Sequence, residues 1–343
     1  MRKATFEVFW NFFNRFFFKP NIFKKEFQES LSIFLNNMHN IELNLVEMTM
    51  DVIKFAITRI TAVNPQLGFP QSAECLQNLV GETVTPEGIG GEKAFKLFQD
   101  VLHKASISPD HPRHLAFVPA SPTRAAVMFD LVTSAASVHG AYWLEGAGCI
   151  FAENQAMKWL VSLTGLPDGA FGVFTSGGTE ANLSAMVTAR EYWRKQNESQ
   201  KHQRGIVITA ISAHSSVRAM AKVIDVDVIS VNTEDKFESN QLVEVLNSLT
   251  VDERSRVFAV IATGGTTNAG IIDDLSGIAR VCEKEDIWFH VDAAYGGGAL
   301  AVKSVRHLFT GIEKADSITI DPHKWFFSPY DCGAVIYKNP EQA

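Results

Sequence analysis

The amino-acid sequence predicts an α/β fold with a mostly parallel seven-stranded sheet flanked by helices. From Ala170 onward, short runs rich in β-branched residues alternate with helical segments. Such alternation is typical of βαβ units, whose strands lie parallel in one sheet. Glycine, threonine, histidine and aspartate follow several of the runs, at the edge where sheets of this kind bind ligands.

Residues 1–47 form a phenylalanine-rich leader of doubtful role. It has no small-residue cleavage site, which argues against a secretory signal. Three interpretations stay open: a helical arm that packs on a partner subunit, a segment on a membrane surface, or an upstream extension outside the working protein. The third is slightly favoured, because Met48 and Met50 could each start the chain just before the regular pattern.

Residues 48–125 are predicted as a helical and extended segment. Helices are expected over Asp51–Thr61 and Glu92–Lys104, followed by a proline-punctuated extended stretch over Pro109–Ser121. Residues 126–343 are predicted as one large cofactor-binding domain, with helices near its start over Thr123–Gly140 and Glu153–Leu163.

The large domain supplies the predicted sheet and its helices. The candidate strands are Gly172–Thr175, Gly205–Ile211, Val226–Val231, Val257–Thr263, Ile287–Val291, Ser317–Ile320 and Gly333–Tyr337. The candidate helices between them are Glu180–Lys195, Ser216–Val223, Asn240–Leu249 and Leu275–Glu283.

Composition limits the class of protein. Of 343 residues, 46% are hydrophobic and 20% charged, as in a globular protein with a sizeable core. The net charge of −7, without a basic stripe, argues against nucleic-acid binding. No run is long and apolar enough to span a bilayer. The four scattered cysteines have no metal-ligand spacing, which favours reduced thiols, a cytoplasmic location and no metal.

The first motif, T-S-G-G-T-E-A-N over 175–182, follows a strand and opens a helix. Gly177 and Gly178 allow close approach of a ligand, and Thr179 can cap the helix. Free N–H groups and the helix dipole there would form a phosphate cradle. An ordinary glycine-rich turn with a threonine cap is about equally compatible. The motif does not match the dinucleotide or nucleoside-triphosphate loops.

Two further strand ends carry polar groups. His214, in A-H-S-S, can lie flat over an aromatic cofactor and serve in proton transfer, or simply flank a helix start. Thr267, in T-G-G-T-T-N-A-G, offers a hydroxyl at the same rim, although hydroxyls in turns often only satisfy the backbone.

The motif F-H-V-D-A-A-Y-G places Asp292 at the end of a hydrophobic strand. A buried carboxylate is costly unless it is paired, and a protonated pyridine nitrogen would be such a partner. Ala293 and Ala294 leave room for a flat ring. Capping of the following turn is an equally simple role for this aspartate.

The stretch S-I-T-I-D-P-H-K-W places Lys324 just after a short strand that Asp321-Pro322 terminates. Desolvation there favours the neutral amine, which is a nucleophile towards carbonyls. A surface lysine is the simpler interpretation for Lys324 alone. A phosphate cradle, a histidine, an aspartate and a lysine at one rim are together far more specific than any one of them.

These motifs, with D-P-H-K-W-F-F-S-P-Y-D-C-G, resemble the group II pyridoxal-phosphate-dependent amino-acid decarboxylases, which act on aromatic amino acids, histidine, glutamate or diaminobutyrate. The resemblance extends from about Met50 to the last residue. It implies a fold-type I architecture from which the small C-terminal domain is missing. It also implies pyridoxal 5′-phosphate as cofactor, an L-amino acid as substrate and a homodimer. Residues 48–125 would then contribute to the dimer and to the substrate pocket.

The resemblance assigns roles residue by residue. Lys324 would form the Schiff base, Asp292 would pair with the pyridine nitrogen, and His214 would stack on the ring. The phosphate would lie at Gly177, Gly178 and Thr179, with His323 and Asp321 nearby, and Thr267 and Ala294 would lie close to the cofactor. The substrate pocket would be lined by Phe117, Val118, Pro119 and Ala120, a segment similar to that of the aromatic-substrate members.

The implied reaction is decarboxylation to the amine and CO2. The chain stops before the mobile catalytic loop of its relatives, so an aldehyde synthase and a truncated inactive homologue that only binds cofactor or a partner stay open. A transaminase or cysteine desulfurase of the same fold type is a further alternative.

Overall fold

The computed structural model describes residues 43–86, 88–198 and 202–343. The predictions for the leader fall almost wholly outside these residues. The chain divides into two compact units, and the boundary lies between Ser106 and Ile107. The functional division predicted at residues 48 and 126 stays a prediction.

The described part of the first unit is helical. It contains α1 (Leu43–Ile60), α2 (Ala73–Val80) and α3 (Gly91–Leu97), which a π-helical turn over Phe98–Leu102 continues. Phe55 of α1 makes edge-to-face contacts with Phe95 and Phe98, at ring-centroid distances of 5.8 and 5.9 Å. Helix α2 was not predicted: it is short, buries no residue, and begins at the Ser72 cap.

The second unit begins with two helices, α4 (Arg124–Ala135) and α5 (Trp143–Thr164), the latter kinked at Gly146. Strands and helices then alternate. The strands are β1 (Phe171–Thr175), β2 (Ile206–Ala210), β3 (Asp227–Val231), β4 (Val257–Thr263), β5 (Trp288–Asp292), β6 (Ser317–Ile320) and β7 (Gly333–Tyr337). The helices between them are α6 (Gly178–Gln196), α7 (Ser215–Val223), α8 (Ser239–Ser248), α9 (Val251–Ser255) and α10 (Leu275–Glu285).

The seven strands form one sheet in the order β1-β7-β6-β5-β4-β2-β3. Strands β6, β5, β4, β2 and β3 pair in parallel, whereas β7 is antiparallel to both of its neighbours. This confirms the predicted mostly parallel seven-stranded sheet with flanking helices.

Each face of the sheet has its own apolar cluster, because side chains alternate between the faces along every strand. The α10-side cluster includes Phe289 and Val291 of β5 and Ile278 of α10. The α6-side cluster includes Ala181, Ala185 and Ala189 of α6, which are all fully buried. Their small side chains bring α6 close to the sheet, so its first turn lies at the carboxyl edge.

Candidate active site

A cavity of about 350 Å³ lies at the carboxyl edge of the parallel strands. It brings together all ten residues predicted to contact the cofactor: Gly177, Gly178, Thr179, His214, Thr267, Asp292, Ala294, Asp321, His323 and Lys324. Asp292 and Asp321 form its buried part, with exposed fractions of 6% and 3%, whereas His214 and Thr267 lie at its open side.

The turn from β1 into α6 forms one wall. The Glu180 carboxylate accepts hydrogen bonds from Ser176 N and Oγ at 2.8 and 2.7 Å, and these bonds lower the pKa of Glu180. The helix begins at Gly178 with Gly177 as N-cap, and no side chain caps it. The expectation that Thr179 caps the helix is therefore wrong, and the first N–H groups of α6 face no capping side chain.

Gly178 is required by close packing. A Cβ atom at this position would lie 2.8 Å from Asp321 Oδ2 and 3.1 Å from Ala294 Cβ. Both distances are shorter than normal van der Waals contact, so a side chain here would displace the buried aspartate.

Lys324 forms an ion pair at the floor of the cavity. Its Nζ lies 2.9 Å from Asp321 Oδ2, and His323 Nε2 lies 3.9 Å from the same oxygen. Burial raises the pKa of Asp321, and the neighbouring Lys324 and His323 oppose that shift. Cys332 N donates to His323 Nδ1 at 3.1 Å, which fixes the imidazole.

Asp292 accepts a hydrogen bond at each carboxylate oxygen. Ala294 N donates to Oδ1 at 3.1 Å, and Asn182 Nδ2 donates to Oδ2 at 2.9 Å. The first bond is the turn-capping contact that the sequence also allowed. The second comes from α6 and holds the carboxylate from the side of the helix.

His214 is the N-cap of α7, as the simpler interpretation anticipated, and also lines the cavity. Ser216 N donates to its Nδ1 at 3.2 Å, so Nδ1 is the acceptor and Nε2 carries the proton. The capping role is therefore confirmed, and the stacking of His214 on the cofactor stays a prediction.

The loop that carries Thr267 is held by a buried carboxylate. Asp273 Oδ2 accepts from Thr263 N at 2.7 Å, and Oδ1 accepts from Phe237 N at 2.8 Å. Burial raises the pKa of Asp273 to about 6, although both hydrogen bonds favour its ionised form. Asp273 therefore fixes the start of this loop at the end of β4.

The segment Phe117–Ala120 is not among the residues that line the cavity. Phe117 is 80% exposed, and the other three residues are partly buried. Ala120 N approaches the carbonyl of His323 at 3.4 Å, so the segment passes beside the site. Its role in substrate binding stays a prediction.

Sequence reasoning missed three buried residues next to the site: Asn182, Ser216 and His290. Asn182 lines the cavity one helical turn after Gly178, and His290 lies two residues before Asp292 on the same face of β5. A signal was present for His290, because a polar residue within a hydrophobic strand shares its face with residues two positions away.

Comparison with known proteins agrees with this geometry. Residues 90–343 match the family model described as the pyridoxal-dependent decarboxylase conserved domain. An aromatic-L-amino-acid decarboxylase from Bacillus atrophaeus is 33% identical over 275 residues, which cover 78% of this chain and 56% of that protein. An L-2,4-diaminobutyrate decarboxylase from Acinetobacter baumannii is 29% identical, covering 77% of this chain and 56% of that protein.

Solved structures have the same fold. Mouse CSAD matches with a TM-score of 0.79 and 26% identity over 88% of this chain and 65% of that chain. Oryza sativa TDC with PLP and tryptamine matches with a TM-score of 0.80 and 24% identity, over 89% of this chain and 66% of that chain. The fold-type I architecture predicted from the resemblance is thereby confirmed.

This chain spans about half the length of the curated relatives it matches. Within residues 43–86, 88–198 and 202–343, no helix combines the length and hydropathy needed to cross a membrane. Pyridoxal 5′-phosphate is the cofactor that the family match supports, as predicted. Because the family model covers most of the chain and its motifs meet in one cavity, the protein belongs to the pyridoxal-dependent decarboxylase family.

Proposed function

We propose that this chain holds pyridoxal 5′-phosphate in the cavity and uses it to decarboxylate an L-amino acid to the amine and CO2. The observation that carries the proposal is that Lys324, Asp292, His214 and the start of α6 line one cavity. These supply an amine nucleophile, a carboxylate, an imidazole and an anion site, which together suit this cofactor.

The residues present fit the cofactor's phosphate. The first N–H groups of α6 and the helix dipole attract an anion, and Gly177 leaves them uncovered. In the described part of the chain, Asp321 Oδ1 is buried without a hydrogen-bond partner. Burial raises the pKa of Asp321, which reduces the repulsion between this carboxyl group and a phosphate.

The residues also fit the cofactor's ring. Each oxygen of Asp292 accepts one hydrogen bond from the protein and keeps a lone pair for a protonated ring nitrogen. When bound, the cofactor supplies an electron sink for the loss of CO2. Asp292 supports that role through its negative charge, and Ala294 beside it adds little bulk.

Lys324 is the amine proposed to attach the cofactor covalently. Its Nζ must lose a proton before it can act as a nucleophile. Asp321 Oδ2, 2.9 Å away, is placed to accept that proton. His214 keeps its Nε2 proton at the open side of the cavity, where it can donate to the substrate.

We further propose that Phe117–Ala120 border the substrate and that Thr267 lies close to the cofactor. The contact between Ala120 N and the carbonyl of His323 supports the first assignment, and the position of Thr267 in the cavity lining supports the second. An aromatic substrate agrees with the Bacillus atrophaeus relative, whereas the Acinetobacter baumannii relative is described as acting on L-2,4-diaminobutyrate.

A homodimer and a cytoplasmic location complete the proposal. Exposed apolar side chains on α4 and at the start of α5 support the dimer, with Phe129 70% and Leu144 98% exposed. The four free cysteines support a reducing compartment. Light scattering should give twice the chain mass; a monomer that still binds cofactor tightly would contradict the dimer.

The test uses the full chain loaded with pyridoxal 5′-phosphate. Borohydride treatment should fix the cofactor on Lys324, as located by peptide mass spectrometry, and Lys324→Ala should abolish this labelling. Lys338→Ala is the matched control, because this lysine lies just beyond β7 and pairs with Asp316 at 3.9 Å, away from the cavity. Absence of cofactor from the wild type overturns the proposal.

Supplying single L-amino acids then separates the alternatives. Release of CO2 with the amine supports a decarboxylase. Labelled Lys324 without turnover identifies an inactive homologue, whereas an aldehyde or a keto acid identifies an aldehyde synthase or a transaminase.

A further inference from the structure

A line of buried polar groups leads to Asp292 along one face of the sheet. Trp288, His290 and Asp292 alternate along β5 with the apolar residues of the opposite face. Asn182 of α6 and Ser317 of β6 lie between these side chains and complete the line.

Four hydrogen bonds connect the five residues into a chain, which we call the relay. Trp288 Nε1 donates to Ser317 Oγ at 2.8 Å, and Ser317 Oγ lies 2.8 Å from His290 Nδ1. His290 Nε2 lies 3.1 Å from Asn182 Oδ1, and Asn182 Nδ2 donates to Asp292 Oδ2 at 2.9 Å.

The direction of the hydrogen bonds follows from the Asp292 end. A carboxylate only accepts, so Asn182 Nδ2 donates to Asp292 and Asn182 Oδ1 faces His290 Nε2. His290 Nε2 therefore carries the proton and donates to that oxygen. In a neutral ring Nδ1 is then an acceptor, so the Ser317 hydroxyl donates to it while accepting from the Trp288 indole.

Burial keeps water from competing with this line. His290 and Ser317 are fully buried, and Asn182 is 1% exposed. Burial also lowers the pKa of His290 to about 4, so the ring is neutral at pH 7 and carries a single N–H. In such surroundings a satisfied network is rigid, and an unpaired member is costly.

Asn182 also connects Asp292 with His214. Its Nδ2 lies 3.3 Å from Ser216 Oγ, and that hydroxyl lies 2.9 Å from His214 Nδ1. The amide therefore uses both hydrogens and its oxygen. No carboxylic or aliphatic side chain of similar size could donate to two acceptors and accept from one donor.

We propose that Asn182, His290 and Ser317 are positioning residues that aim the Asp292 carboxylate at the ring nitrogen of the cofactor and, through Ser216, fix His214. This inference rests on the proposed function, because it assumes that the cavity holds the cofactor. The three residues act through Asp292 and His214, not through contact with the reacting atoms.

The first test uses the cofactor-free chain and the ¹⁵N NMR signals of its ten histidines. One histidine should be neutral, protonated on Nε2 and unchanged from pH 8 to pH 5. Ser317→Ala should convert that signal to a mixture of tautomers. Thr209→Val, which removes a buried hydroxyl bonded to the carbonyl of Ile261, should leave it unchanged. A charged or Nδ1-protonated His290 overturns the relay.

The second test follows the absorption band of the bound cofactor as the pH is varied. Asn182→Ala should shift its midpoint by about one to two pH units, the effect of one hydrogen bond to a charged group, and Ser317→Ala by about half to one pH unit, the effect of one neutral hydrogen bond. Ser184→Ala is the matched control for Asn182, because Ser184 lies on the same helix and contacts Tyr337. Thr209→Val is the matched control for Ser317.

The outcomes separate this inference from the proposed function. A wild-type chain that takes up no cofactor defeats the proposed function, and the relay's role falls with it. A wild type that binds cofactor, with Asn182→Ala and Ser317→Ala no different from their controls, overturns the relay alone. If Asn182→Ala does not fold, Ser317→Ala and the NMR measurement still decide.

Discussion

The two faces of the sheet are built from the same strands but differ in chemistry. On the α10 side, the inward residues of β5 and β6 are all apolar: Phe289, Val291, Ile318 and Ile320. On the α6 side, the same two strands present His290, Asp292, Ser317 and Thr319, all buried. The α10 side of these two strands is therefore entirely apolar. The α6 side combines an apolar layer with buried side chains whose hydrogen bonds lead to the cavity.

This difference indicates a division of labour within each strand. Burial of large apolar groups on the α10 side supplies stability. The polar residues on the α6 side contribute less net stability, because folding exchanges their bonds to water for bonds to protein. Their contribution is to orient the side chains that line the cavity. A substitution on one face should therefore change stability, and one on the other face should change the chemistry.

The largest effect on the reaction rate is expected from Asp292→Asn. Loss of the negative charge should lower the rate of CO2 release by roughly 100-fold or more, as for other electrostatic partners of a reacting group. The melting temperature should change little. Val291→Ala, one residue away on the other face, should lower stability and keep the rate per folded molecule. Retention of the wild-type rate by Asp292→Asn would remove the distinction between the faces.

Phe289→Ala tests the contribution of the α10 side of the sheet to stability. Truncating this fully buried ring should lower the free energy of unfolding by about 3–5 kcal/mol, measured by urea denaturation. The absorption of bound cofactor should be unchanged in the folded fraction. Val223→Ala, at a 72% exposed position, serves as the control and should cost less than about 1 kcal/mol. A similar cost for both variants would contradict the assignment of stability to this face.

Lowering the pH should destabilise the fold, because His290 on the α6 side of the sheet is buried in its neutral form. The pKa of His290 is about 4 when folded and about 6.5 when unfolded, so below pH 6.5 the unfolded chain binds the proton more readily. The free energy of unfolding should fall by about 2 kcal/mol between pH 7 and pH 5 from this group alone.

Asp273 has the opposite effect on the pH dependence of the free energy of unfolding, so its contribution must be measured separately from that of His290. Its pKa is raised to about 6 when folded, so its contribution is present at low pH and is lost as the pH rises through 6. At pH 5, Asp273 should offset the fall in the free energy of unfolding caused by His290 by about 1 kcal/mol. In Asp273→Asn the decline between pH 7 and pH 5 should therefore be steeper. A decline in Asp273→Asn that is equal to or shallower than that of the wild type would show that folding does not raise the pKa of Asp273. The absence of any decline in Asp273→Asn would show that His290 is not buried in its neutral form.

Much of this fold could be predicted because its strands are short, apolar and sharply bounded. Strands β4, β6 and β7 have the residue limits expected from sequence, since Gly or Asp-Pro signals adjoin them. Helix α5 begins ten residues before the predicted Glu153, because its N-cap residue, Tyr142, makes no side-chain capping bond and is not one of the residues that mark a helix start. The direction of β7 could not be predicted, because alternation is the same in parallel and antiparallel strands.

The candidate site was predictable only where a motif marks a strand end. Lys324, Asp292 and Gly178 each follow such an end, and the fold places all three at one edge. The relay was not predictable, because Asn182, His290 and Ser317 are separated by 108 and 27 positions along the chain and meet only through α6 and the register of β5 with β6.

Gly178→Ala should have the smallest effect and tests how closely the polar face is fitted to its cavity. The new Cβ would lie 2.8 Å from Asp321 Oδ2, so the aspartate, or the first turn of α6, must move. Cofactor affinity, measured by equilibrium titration, should fall about tenfold, equivalent to about 1.4 kcal/mol, while the fold is kept. Gly148→Ala in α5, where no atom lies within 4 Å of the added Cβ, should leave affinity unchanged. If both variants bind cofactor with the wild-type affinity, the close packing of Gly178 against Asp321 is not needed for cofactor binding.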